Sequence, residues 1–129
     1  NLLELDRLGI EYAEHAVKFG TLLEVSHGTR VSKWSGMSAK AEQELRRYSI
    51  STITGHVHRM GRFQTHTDHA DRIGQENGCL CSLFPEYMNN ADWVHGITFF
   101  EIKDGALKIE PIQFGRDYTA IYGGKVYSA

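Results

Sequence analysis

The sequence predicts an α/β (α+β) domain, mostly strand with one or two helices, and three observations carry that prediction. "SAKAEQELRRYSISTIT" reads as a helix running directly into a β-branched strand. "ITFFEIKDGALKIEPIQF" reads as a hairpin turning at Asp104-Gly105, since Asp-Gly between apolar alternations is the strongest short-range hairpin signal. The apolar runs at 17–19 and 22–25, divided by Gly20, read as two strands in a tight connection.

The elements follow in chain order. Leu2, Leu3, Leu5 and Leu8, interleaved with Glu4, Asp6 and Arg7, read as the end of a short helix stopped by Gly9. The second strand ends at Ser26, which puts His27 at its carboxyl edge. Ser38 is placed to cap a helix over 39–48, with Ala41, Leu45 and Tyr48 on its apolar face. Glu42 and Arg46 sit four apart there and are expected to pair weakly in solvent. The strand over 50–54 ends at Gly55, so His56 lies just beyond its carboxyl end, the edge at which α/β folds place their ligands. "HTDHAD", with His66, Asp68, His69 and Asp71, reads as a mobile polar loop, "GCLCSLF" as a strand, and "IYGGKVYSA" as a last short strand. No repeat, low-complexity tract or linker interrupts the chain, and 1–129 reads as one domain.

Composition narrows the class. At 129 residues, 41% hydrophobic and 23% charged, the chain suits a single globular core of modest size. No run is long enough to span a bilayer and no cleavable signal peptide is visible, so a cytoplasmic location is expected. The chain starts at Asn1 within a stretch that reads like the inside of a domain, which raises the expectation of a fragment or processed piece. Cys79 and Cys81 make no disulfide framework. Two apart in an extended segment they share a face, which reads as two buried, reduced thiols on a strand, with a metal role as the alternative. Residues 30–72 hold eight Lys or Arg against four acids, a local +4 within a chain of net charge −2. An excess of cations around the histidines would draw an anionic ligand; a patchy surface without meaning is the plainer alternative.

The chemistry-bearing residues cluster at the strand ends. In an extended segment His56 and His58 project to one side with Cα atoms roughly 6–7 Å apart. They could reach one metal, or one each of two metals about 3.5–4 Å apart. Neutral imidazole suits zinc, iron, manganese and nickel alike. His27 strengthens the reading, because neighbouring strand ends converge on one sheet edge. Arg59 and Arg62 could hold a phosphate through bidentate contacts, with solvent exposure as the alternative. His15 and His95 are isolated. No Walker A loop, dinucleotide fingerprint, nucleophile elbow or paired-cysteine zinc motif appears, so those classes fall away.

A "HG" after a hydrophobic strand, then a helix, a strand and "TGHVHR", resembles the C-terminal half of the calcineurin-like metallophosphoesterases. "RMG", "ENGCLCSL", "PEY" and "DWVHGI" resemble the phage and prophage members in particular. The resemblance spans about residues 8–114. It implies half of an α/β/β/α sandwich around a divalent metal pair (Mn, Fe or Zn), with His27 and His56 on one metal and His58 on the other. It further implies attack of a metal-activated water on a phosphate mono- or diester, nucleotides or nucleic acid being candidate substrates, with Arg59 near the phosphate. The family's earlier Asp-x-His, Gly-Asp-x-x-Asp and Gly-Asn-His-Asp/Glu motifs are absent, and only 26 residues precede His27. They carry the bridging and terminal carboxylates and the residue that protonates the leaving group. No catalytic residue is therefore expected in this chain, and metal binding is expected to be weak. The alternative is a non-catalytic binding or assembly module, pairing through the exposed sheet as a homo-oligomer.

Overall fold

In the computed structural model, which describes residues 4–68, 70–87 and 91–128, a mixed sheet separates one helix from a long hairpin. The elements are β1 (Val17–Phe19), β2 (Leu23–Ser26), α1 (Met37–Leu45), β3 (Ser51–Thr54), β4 (Gly61–His66), β5 (Asp71–Glu76), β6 (Gly96–Lys103), β7 (Ala106–Gln113), β8 (Ala120–Tyr122) and β9 (Lys125–Tyr127). Five strands form one sheet in the order β1-β2-β3-β5-β4. β2, β3 and β5 run parallel, and the outer strands β1 and β4 run antiparallel to their neighbours. Parallel neighbours need a crossover connection, and α1 supplies the one between β2 and β3. The α/β reading of the sequence is borne out: mostly strand, one α-helix and a mixed sheet.

Alternation along the central strands sorts their side chains onto two different faces. Leu23, Val25, Ile53 and Ile73 point to one side and meet Phe100, Leu107 and Ile109 of the β6–β7 hairpin. Burying Leu23, Ile53 and Ile109 stabilises the fold by about 1.5–3 kcal/mol each. Phe19 meets Phe100 edge-on at 4.8 Å, and Arg62 donates to the Ile109 carbonyl at 2.6 Å, closing this layer at both edges. The hairpin turns at Asp104 and Gly105 with φ of 51° and 78°, the paired positive values that a two-residue hairpin turn demands.

The opposite face is polar. Glu24, Thr52 and Glu76 are buried there beneath α1, whose own buried residues are Ser38, Ala39, Glu42 and Gln43. This corrects the expected apolar face: Leu45 is 53% exposed. Hydrogen bonding replaces apolar contact at this interface. Gln43 donates to the Thr52 hydroxyl at 3.0 Å and to the Ile73 carbonyl at 3.1 Å. Glu76, fully buried, accepts N–H bonds from Gly36, Ser38 and Ala39 at 2.9–3.1 Å. A carboxylate from β5 thus caps the helix, a charge-assisted arrangement at the positive end of its dipole. The helix consequently begins at Met37 after Gly36, and Ser38 is not its cap. Gly74 lets α1 lie close, for a Cβ there would stand 2.9 Å from the Ala39 carbonyl.

Several smaller expectations need correction. Leu5–Leu8 forms a 3-10 turn ended by Gly9, while Leu2 and Leu3 lie outside the described residues. The "HTDHAD" stretch is the turn of the β4–β5 hairpin, with His66 paired to Asp71 across its open end; His69 lies outside the described residues. "GCLCSLF" is not a strand: Cys79 makes one isolated parallel bridge to His95. The tail forms a whole hairpin, β8–β9, rather than one strand. Among the described residues, no helix is long and apolar enough to cross a membrane.

Candidate metal centre

Two strand ends bring His27 and His56 together. β2 and β3 pair in parallel with Ser26 opposite Thr54, so the residues following them leave the sheet side by side. His27 Nε2 lies 2.9 Å from His56 Nδ1, and the rings meet edge-on with centroids 4.8 Å apart. Gly28 follows with φ of 87°, where a Cβ would stand 3.1 Å from Thr54 Cβ, so both conformation and space demand glycine.

The loop after His27 is fixed by α1. Glu42 Oε1 accepts the N–H groups of Thr29 at 2.5 Å and Arg30 at 2.8 Å. Its other oxygen pairs with Arg46 at 2.5 Å, and Arg46 also reaches Glu24 on β2 at 2.5 Å. The expected solvent pair Glu42–Arg46 is therefore a buried bridge, with Glu42 only 1% exposed. Burial pushes the Glu42 carboxyl up, but the Thr29 N–H, the Arg46 guanidinium and the Arg30 N–H outweigh it, and its pKa falls below 4.5. A cleft of about 780 Å³ opens beside this loop, lined by His15, His27, Thr29 and Glu42 among others.

His58 departs from the pair. His56 and His58 both adopt left-handed backbone, with φ of 60° and 56°, so the segment is not extended and the same-side geometry does not hold. His58 instead stands edge-on to Trp93, with ring centroids 4.3 Å apart. Burial first, then electrostatic repulsion from neighbouring His27 and His56, lowers its pKa from the ordinary histidine value. A neutral ring is the metal-binding form.

Two thiols complete its surroundings. Cys81 Sγ lies 3.8 Å from His58 Nδ1, and the ligand atoms of His58, Cys79 and Cys81 all fall within 4.8 Å of one another. Among the described residues this is the one group of three or more His, Cys, Asp or Glu side chains that converges so closely. Cys79 is buried and Cys81 exposed, so two buried thiols on one strand face is not the arrangement. Burial, reinforced by the hydrogen bond and charge of Cys81, pushes the Cys79 thiol up to about 11.

Arg59 is neither solvent-exposed nor free. It donates to the carbonyls of Ser32 and Lys33 and to Asp92, and is 9% exposed. Arg62 is likewise engaged, by Gln75 and the Ile109 carbonyl. His15 lies on the cleft wall, and His95 Nε2 donates to the Cys81 carbonyl at 2.8 Å.

The donor set bears on the metal pair that the resemblance implies. Three neutral imidazoles bring no negative charge to two dications, and no carboxylate joins His27, His56 and His58 in a converging group among the described residues. A dinuclear centre does not fit this chain by itself.

No protein-family model matches the chain, and no curated protein matches it in sequence. Its structure is similar to that of a Vps29 double mutant from Entamoeba histolytica, with a TM-score of 0.51 and 18% identity over 89% of this chain and 57% of that one. A Vps29 single mutant from the same organism superposes with a TM-score of 0.42 at 19% identity, over 78% of this chain and 60% of that one. This chain thus spans under two thirds of the Vps29 chains it matches. The α/β fold thus matches the metallophosphoesterase-like fold of Vps29, and the likeness speaks for the fold alone.

Proposed function

We propose that this chain is the C-terminal portion of a metal-dependent phosphoesterase of the phage and prophage type, a single domain piece that contributes His27, His56 and His58 to a divalent metal pair. The observation that carries the reading is the His27–His56 contact at the carboxyl ends of adjacent parallel strands. In the whole protein the metals would supply an activated water for in-line attack on a phosphate mono- or diester, a nucleotide or nucleic acid among them. This chain's own part is to present imidazoles from a loop locked by Glu42. Arg59 would act on substrate through the Ser32–Lys33 backbone it holds. A cytoplasmic setting is part of this proposal, with the free thiols of Cys79 and Cys81 as its support.

The missing carboxylates make the chain alone inactive. The test is metal-dependent hydrolysis of bis(p-nitrophenyl) phosphate with manganese, by this chain and by a longer gene product that contains it. The longer protein should turn over substrate and lose at least about 100-fold on His56→Ala, as expected for an ordered metal site. Unchanged turnover in that variant would remove the assignment.

Phe99 and Ile97 on β6 and Val17 and Phe19 on edge strand β1 are partly exposed apolar side chains, which favours a covering partner as the second reading. That partner is the rest of the fold or a second copy of this chain; light scattering separates the two.

A further inference from the structure

We propose that His58, Cys79 and Cys81 bind one thiophilic divalent cation, zinc foremost, through one imidazole nitrogen and two thiolates, with a fourth position open. The site goes beyond the phosphoesterase reading and does not depend on it, although His58 is common to both.

Geometry comes first. In a tetrahedral zinc site with Zn–S of about 2.3 Å and Zn–N of about 2.0 Å, ligand atoms lie roughly 3.5–3.8 Å apart. The Cys81 Sγ to His58 Nδ1 distance is already 3.8 Å, and every other pair in the trio lies within 4.8 Å.

The backbone holds the trio without any help from a metal. Val94 bridges two of its segments, donating its N–H to the His58 carbonyl and accepting the Cys79 N–H, both at 3.0 Å. The Cys79 carbonyl then accepts the Gly96 N–H at 3.2 Å. Gly78 permits this approach, for a Cβ there would stand 2.7 Å from the Val94 carbonyl. His95 donates to the Cys81 carbonyl at 2.8 Å, fixing the turn that aims the second thiol. Trp93 closes one flank of the His58 ring. Two segments, one carrying His58 and one carrying Cys79 and Cys81, are thus held together by a third around Val94 and deliver three donors to one point.

Charge decides which cation. Two thiolates neutralise one dication, which the three imidazoles alone cannot do. Sulfur ligands select zinc over manganese or magnesium. Exposed Cys81 gives the ion a way in.

The test uses the reduced whole chain and cobalt(II) as a spectroscopic stand-in for zinc. One equivalent should produce an intense thiolate-to-cobalt charge-transfer band, which one equivalent of zinc then abolishes. Cys81→Ser is chosen because its side chain is exposed and the fold should survive, as circular dichroism checks. It should cut the band by about half, since one of two sulfur–metal bonds is lost. His66→Ala, at the β4–β5 turn and outside both groups of proposed ligands, should leave the band unchanged. Cobalt bound without the band, or a band indifferent to Cys81→Ser, overturns the site, as does a reduced chain that binds neither metal. Cobalt bound without the band, in a complex that His56→Ala abolishes, would place the metal among the imidazoles instead. Loss of phosphoester hydrolysis in the longer protein has no bearing on the band, so the two readings fail separately.

Discussion

Replacing Glu42 by Gln tests how the His27 loop is held. One carboxylate oxygen accepts the Thr29 and Arg30 N–H groups and the other pairs with Arg46. Hydrogen bonds to a charged group contribute about 1.5–3 kcal/mol each, roughly twice a neutral one. Gln keeps one oxygen for the two N–H groups, losing about 1–2 kcal/mol, and turns an NH2 toward a guanidinium that accepts nothing. Arg46 retains Glu24, which limits the second loss to about 1–2 kcal/mol. The sum is about 2–4 kcal/mol. With a urea m-value of about 1–3 kcal/mol/M, the unfolding midpoint should fall by roughly 1–2 M, read by far-ultraviolet circular dichroism. The acid limb supplies an independent signature. The folded pKa of Glu42 lies below its ordinary 4.5, so its stabilisation is present above pH 4.5 and is lost as pH falls through the folded value. The wild-type chain should lose stability over that window and the Gln variant should lose less. An unfolding free energy unchanged within about 0.5 kcal/mol, with identical acid profiles, would refute the buried-anchor reasoning.

Three further outcomes are expected. Gly74→Ala should destabilise by about 1–3 kcal/mol in the same urea assay, because its Cβ would meet the Ala39 carbonyl at 2.9 Å and force α1 outward. Leu23→Ala should cost about 2–5 kcal/mol, since Leu23 is fully buried between Ile53 and the hairpin; a loss under about 1 kcal/mol would mean this layer is loosely packed. His56→Gly should stabilise the apo chain by up to about 1 kcal/mol by relieving a left-handed φ of 60°, while weakening metal binding. A destabilised His56→Gly chain would mean that the ring contact with His27 is structural.

What the sequence disclosed followed from local rules. The β6–β7 hairpin was legible because Asp104 and Gly105 are residues that tolerate positive φ, and the structure uses that tolerance. His27 and His56 were legible as strand-end residues, because an apolar run ends just before the first and a β-branched run just before the second. β4 and β5 escaped notice because Phe63 and Ile73 are nearly their only apolar residues, and their pairing rests on backbone ladders with Gln75 and Glu76 buried. The helix start was misplaced because its cap comes from Glu76, 38 residues past Ser38. The thiols were misread for a similar reason. A Cys-Leu-Cys alternation looks like a strand, and nothing local reveals that Val94 draws Cys79 against His58. Signals carried by long-range contacts do not register as periodicity.

The most direct measurement on the proposed histidine site is manganese-dependent hydrolysis of a generic phosphodiester by this chain alone. Three imidazoles without carboxylate partners predict no turnover above the metal blank. Turnover that appears with manganese and disappears in His56→Ala would contradict that prediction and make this chain a complete enzyme.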